Sequence, residues 1–289
     1  MNNIKELQDK TENLKLLAAQ RVLYKRAKKM FTFQVISTVV VSIVFVVLKC
    51  FTKEQLGFDP KDINVIAVVV ALLEPLLFML LVSNLRTNGA KIQELFDRRL
   101  YGMKWNKANS EDEPEKHVID ENARRYVDDP KAPLENWYDI ELDGLSHNKA
   151  IITCQETNLF YDGRLRLSFR DASLIVCLIM VLLTVVIAAI LDMSMRKYFT
   201  YLALPILPAI SLTLKIYLEN KKSQAAADKL RGFAKQIKRN EDTPSFEDLK
   251  QIQDRIYCMR KDSALIPEWY YKKHRARLER EMKVNASAD

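Results

Sequence analysis

The chain has 289 residues, 45 Lys and Arg against 37 Asp and Glu, and a formal net charge of +8. That length allows one or two domains, and six glycines are too few for a glycine-rich nucleotide fold or a barrel of tight turns. The four cysteines lie far apart without a CxxC and the three histidines are scattered, so no disulfide framework, metal site or cofactor is expected, and a reducing compartment fits.

Residues 1–29 read as an amphipathic helix, with Leu7, Leu14, Leu17, Val22 and Tyr24 near helical spacing. Lys25, Arg26, Lys28 and Lys29 crowd its end. The plain reading is a basic anchor on anionic lipid; the sharper one is a lever joined to the span that follows. An apolar block then covers 30–48 with no formal charge, and a second covers 63–85 with one, Glu74. Crossing about 30 Å of hydrocarbon takes about 20 residues of helix, so both are long enough to span a membrane. Together they make transmembrane hairpin 1, residues 30–85. Glu74-Pro75 falls near the middle of the second span. An intramembrane carboxylate needs a partner, a cavity or an interface, and proline bends the helix beside it. The pair is a candidate pore or gating element; the plain alternative is a hydrogen-bonded residue that fixes helix packing.

Residues 86–170 form a polar insert. Helix should continue to about Leu100 and stop at Gly102. The run 110–113 (Ser-Glu-Asp-Glu) resembles a capping box, which predicts a helix from there to about Val127. Pro130 and Pro133 end it, and helical pattern resumes from Lys149 toward the next apolar block. Hairpin 2, residues 171–218, holds spans 172–191 and 198–218. Pro205 and Pro208 make the fourth span irregular and are further pore or gating candidates, with packing favoured; Lys215 reads as a snorkelling residue. Residues 219–289 form a helical arm, with a break at 241–244 and a helix from Phe246 to about Lys261 capped by Thr243 or Ser245.

Blocks one and three are apolar around their whole circumference, unlike soluble core helices, which keep a polar stripe. The expected fold is an all-α membrane protein: four transmembrane helices as two hairpins, a mainly helical cytoplasmic insert and a C-terminal helical arm. Lys and Arg crowd the ends at 25–29, 164–170 and 215–222, while loop 192–197 has little net charge, which puts both termini in the cytoplasm of the inner membrane. Net charge is +5 for 1–29, −2 for 86–170 and +5 for 219–289. Mixed signs and the lack of a reader motif speak against nucleic-acid binding.

No Walker loop, kinase set or GxSxG occurs, and Cys154 with His147 lacks a third orienting group, so no catalytic residue is assigned. The stretch 154–166 is dense in polar groups. Arg164 and Arg166 are candidates for holding a phosphate, Trp105 or Trp137 for stacking a base, and Asn106, Gln155 and Asn158 for polar contacts to the same ligand; the plain reading is a solvated helix face with basic anchoring.

Several segments together resemble one family: 20–24 (Gln-Arg-Val-Leu-Tyr), 95–97 (Leu-Phe-Asp) leading to 101–106 (Tyr-Gly-Met-Lys-Trp-Asn), 136–138 (Asn-Trp-Tyr), 154–158 (Cys-Gln-Glu-Thr-Asn) with Arg164 and Arg166, and 266–270 (Ile-Pro-Glu-Trp-Tyr). In order and spacing they are similar to the SMODS-associated four-transmembrane effectors of bacterial defence islands, over nearly the whole chain. At Glu156 the chain departs from the expected pattern, which puts a basic residue after the glutamine. The resemblance implies a pore-forming effector of anti-phage defence (CBASS), in which a nucleotide second messenger from a partner synthase triggers inner-membrane damage and abortive infection. Four spans enclose little space, so a conducting path implies a homo-oligomer in the bilayer. The alternatives are a constitutive small transporter or channel component, and a membrane-anchored scaffold or binding module.

Overall fold

The computed structural model describes residues 2–49, 51, 55, 57, 59, 62–130, 132–240 and 243–287. Lys53, Glu54 and Lys61, charged residues between the first two apolar blocks, and Glu241 and Asp242 of the expected break lie outside the described residues. The described residues form helices and no strand: α1 (Ile4–Gln8), α2 (Thr11–Leu48), α3 (Asp62–Tyr101), α4 (Lys107–Ser110), α5 (Lys116–Arg124), α6 (His147–Ile190), α7 (Met195–Tyr198), a π-helical turn (Phe199–Ala203), α8 (Leu204–Asn240), α9 (Phe246–Asp262) and α10 (Glu268–Ser287). Four stretches are long and apolar enough to cross a membrane: α2, α3, α6, and the continuous run through α7, the π turn and α8. Their most apolar windows have mean hydropathy 2.5, 2.9, 3.1 and 1.6.

Local chemistry explains where helices stop. Gly102 ends α3 in a left-handed conformation, φ +65°, and the Met103 amide donates back to the Arg98 carbonyl at 2.9 Å, a glycine-closed helix end. The end of α6 has the same form with Asp192 at φ +47°; Met193 N donates to Ala188 O at 2.9 Å, and Ser194 caps α7. Ser245 caps α9 by accepting from Asp248 N at 3.1 Å. The π turn ends two residues before Pro205, whose missing N–H leaves the Tyr201 carbonyl without its usual donor.

Two local expectations fail. The single helix predicted over 1–29 is interrupted at Asp9 and Lys10, because Gln8 Oε1 and Asp9 Oδ1 accept the backbone amides of Tyr138 and Asn136, at 2.8 and 2.9 Å. The capping box at 110–113 does not form. Ser110 ends α4 and is buried, and Glu111 takes φ +60° while its carbonyl accepts Trp105 Nε1 at 2.8 Å. Helix restarts after Pro114, which disfavours helical backbone in the residue before it.

Two compact units divide the chain. One comprises 1–28, 83–167 and 222–289. Its core joins Leu16, Leu17 and Leu23 of α2, Ile92, Phe96 and Leu100 of α3, Ile151, Ile152 and Leu159 of α6, and Leu249, Ile252 and Ile256 of α9. The other comprises 29–82 and 168–221 and has the opposite polarity. Leu72, Leu77, Leu80, Ile175, Leu178 and Leu182 face outward, while Gln34, Thr38, Ser42 and Thr184 are buried. In water each outward leucine would forgo roughly 1.5–3 kcal/mol of burial. Hydrocarbon removes that penalty, and it is the solvent this surface fits.

Candidate functional site

In the apolar unit, α2 presents Gln34, Thr38 and Ser42, four residues apart and so on one face, at 6%, 3% and 0% exposure. The Thr38 hydroxyl lies 2.9 Å from the Gln34 carbonyl and 3.0 Å from Glu74 Oε1 on α3. Its single proton serves one of these acceptors at a time. Ser42 Oγ, one turn further, has no hydrogen-bond partner among the described residues. Four polar side chains thus make a seam in a unit whose outward surface carries many large apolar side chains. Pro75, which follows Glu74, is half-buried. Pro205 and Pro208 of α8 are buried, and nearby in sequence the Tyr198 hydroxyl lies 3.2 Å from Thr184 Oγ1. Lys215 pairs with Glu219 at 3.7 Å.

The other unit draws most of the ligand candidates into its interior. Tyr138 is the hub: its hydroxyl donates to Asp97 Oδ1 at 2.8 Å and receives Asn158 Nδ2 at 2.8 Å and the Tyr101 hydroxyl at 2.7 Å. Arg260 donates to the other Asp97 oxygen at 2.6 Å. Gln253 donates to Glu94 at 2.7 Å, and its own side-chain oxygen accepts Gln155 at 3.2 Å. Arg98 joins Glu94, at 2.6 Å, to Asp254, which also accepts Asn106 at 2.8 Å. Burial raises Glu94 to about 7, against the pull of Arg98 and Arg260, and burial also raises the Tyr101 and Tyr138 hydroxyls and the Cys154 thiol. Such groups are poor nucleophiles; their chemistry here is mutual satisfaction inside a packed core.

Asn106, Gln155 and Asn158 therefore join one internal network. Trp137 packs edge-on against Phe96 at 6.2 Å and lies under Arg21 at 5.8 Å, so one of its faces is already taken. Trp105 is half-buried and tied to the Glu111 carbonyl. Arg166 is buried between Asp162, at 2.7 Å, and the Ala264 carbonyl, at 2.9 Å. Arg164 is exposed and apart from these. Glu94, Gln253, Asp254 and Arg260 were not singled out from sequence. The available signal was polar residues falling among the core positions Ile92, Leu95, Phe96 and Leu249, Ile252, Ile256.

The sequence profile of the SMODS-associating 4TM effector domain matches residues 2–288. The chain belongs to that family. It is therefore a multi-pass membrane protein and an effector of anti-phage defence. A probable CBASS effector molecule of Bacillus cereus (strain VD146) is 26% identical over 277 residues, covering 92% of this chain and 91% of that protein. No solved structure matches the chain. In this SMODS-associating 4TM effector the segments that carried the resemblance meet one another. Asp97 and Asn158 bond Tyr138, Tyr24 lies against Gly89, where an added Cβ would meet its ring at 3.3 Å, and Glu268 pairs with Lys28 at 2.9 Å. Glu156, the departure from the expected pattern, is buried and accepts Arg231 at 3.1 Å and Lys235 at 3.6 Å.

Proposed function

We propose that this SMODS-associating 4TM effector is a non-enzymatic pore-former that permeabilises the bacterial inner membrane when triggered, so that the infected cell is arrested or dies. In this reading it works as a homo-oligomer, with 1–29, 86–170 and 219–289 in the cytoplasm and the loops near 49–62 and 192–197 outside. The trigger is a nucleotide second messenger, or its synthase, acting on the cytoplasmic part. Family membership and the CBASS relative support the signalling context; the basic residues flanking the spans support the orientation.

The observation that carries the pore reading is the seam of Gln34, Thr38, Ser42 and Glu74. Polar groups in hydrocarbon are costly and are kept where they face one another or a water path. One hydroxyl proton is shared between two acceptors and a second hydroxyl has no partner, so the closed packing leaves hydrogen-bonding capacity that water entering between α2 and α3 would fill. Triggering then shifts a closed-to-open equilibrium toward the hydrated arrangement.

The test is Glu74→Gln in cells carrying the intact operon, read with a potential-sensitive dye after phage challenge. Depolarisation is expected to be slower or smaller at unchanged membrane abundance. Depolarisation identical to wild type removes Glu74 from the conducting path. Wild-type cells that keep their potential would instead support a membrane-anchored scaffold.

A further inference from the structure

Arg164 lies at a surface cavity of about 360 Å³ lined by Phe160, Gly163, Arg164 and Leu167 of α6 and by Gln224, Asp228, Arg231, Gly232 and Lys235 of α8. Its charges are three cations and one carboxylate. Arg231 and Lys235 are set by the buried Glu156 carboxylate beneath them, with Lys238 at 4.0 Å from the same group. The Arg231 guanidinium lies 4.5 Å from the Phe160 ring centre and that of Arg164 lies 5.6 Å from it. Asp228 is engaged by the Gln224 amide. Gly163 permits the close approach of the two helices, since a Cβ there would meet Asp228 Oδ1 at 3.1 Å.

We infer that this cavity is a binding site for a phosphate group. Two guanidiniums and an ammonium lining one cavity offer the forked donors and the charge that phosphate oxygens take. Arg164 makes no ion pair among the described residues, while Glu156 and Phe160 hold Arg231 in place before any ligand arrives, which lowers the ordering cost of binding. The apolar block of α6 begins at Ala172 and that of α8 ends at Leu218, within two helical turns of the lining residues Leu167 and Gln224. That is the level at which basic residues meet anionic headgroups. The phosphate therefore comes either from a phospholipid headgroup or from a free phosphate-bearing solute.

The experiment is calorimetric titration of the full-length protein in a nonionic detergent, with dihexanoyl-phosphatidylglycerol in one arm and inorganic pyrophosphate in the other. Saturable binding is expected in at least one arm, weakened about tenfold by Arg164→Ala, as for loss of one charge-assisted contact, and abolished by Arg164→Glu. Arg164 is exposed and unpaired, so the unliganded melting curve should not change in either variant. Binding of the lipid alone assigns the site to a headgroup, and comparable binding of pyrophosphate assigns it to a soluble ligand. Absence of saturable binding in both arms, or equal affinity in wild type and Arg164→Ala, overturns the site. The titration reads no leakage, so its failure and that of the pore reading are distinguishable.

Discussion

Glu94 is held between Arg98 and Gln253 with almost no solvent, and its carboxyl titrates near 7 instead of about 4.5 because burial disfavours the charge. Between those values the native state binds more protons than the unfolded chain, so this group makes stability fall as pH rises from about 4.5 to about 7. Glutamine at 94 removes the titration. The melting temperature of the wild type in detergent is expected to drop from pH 5 to pH 7.5 more steeply than that of Glu94→Gln; parallel slopes would show that Glu94 is not the group responsible. The sequence marked several neighbours in this network as interesting, and the structure gives them an inward role. Sequence offers Asn106, Gln155 and Asn158 as ligand contacts because they are polar, the last two within one polar-rich stretch. Their partners Asp254, Gln253 and Tyr138 lie 148, 98 and 20 residues away, and no local spacing announces pairs that far apart.

At the scale of helices, the spans were legible because hydrocarbon imposes one simple demand, some 20 residues without charge, and 30–48 and 172–191 meet it outright. The stop at Gly102 and the Ser245 cap were legible too, since each depends on one residue's backbone or side chain. The Ser110 expectation failed because another local contact, Trp105 to the Glu111 carbonyl six residues on, competes with the cap. Helix–helix distance was illegible, and two glycines show why. Gly89 lies where an added Cβ meets the Tyr24 ring at 3.3 Å, whereas at Gly232 nothing lies within 4 Å. Both sit inside helices, where glycine costs roughly 0.5–1 kcal/mol relative to alanine. Gly232→Ala should therefore raise the melting temperature slightly, and Gly89→Val should lower it by overpacking worth about 1–3 kcal/mol. Thermal unfolding in one detergent checks both signs, and a stabilised Gly89→Val would contradict the close α2–α3 approach.

On the scale of the molecule, a unit of apolar exterior and polar seam is joined through four long helices to a unit of ordinary polarity. The proposed orientation predicts that an epitope tag inserted after Asp192 is labelled on intact spheroplasts, while a tag at the C-terminus is labelled after permeabilisation alone. The reverse pattern would invert the topology and move the basic cavity to the outer face. The unit outside the spans is assembled from three separated stretches, 1–28, 83–167 and 222–289, and its core needs Leu249, Ile252 and Ile256 from the last of them. That stretch follows every span in the order of synthesis. Asp97 gains Arg260 and Gln253 only once that stretch is made, so a polypeptide cut short before Leu249 has all four apolar helices and lacks part of the core of the unit outside them.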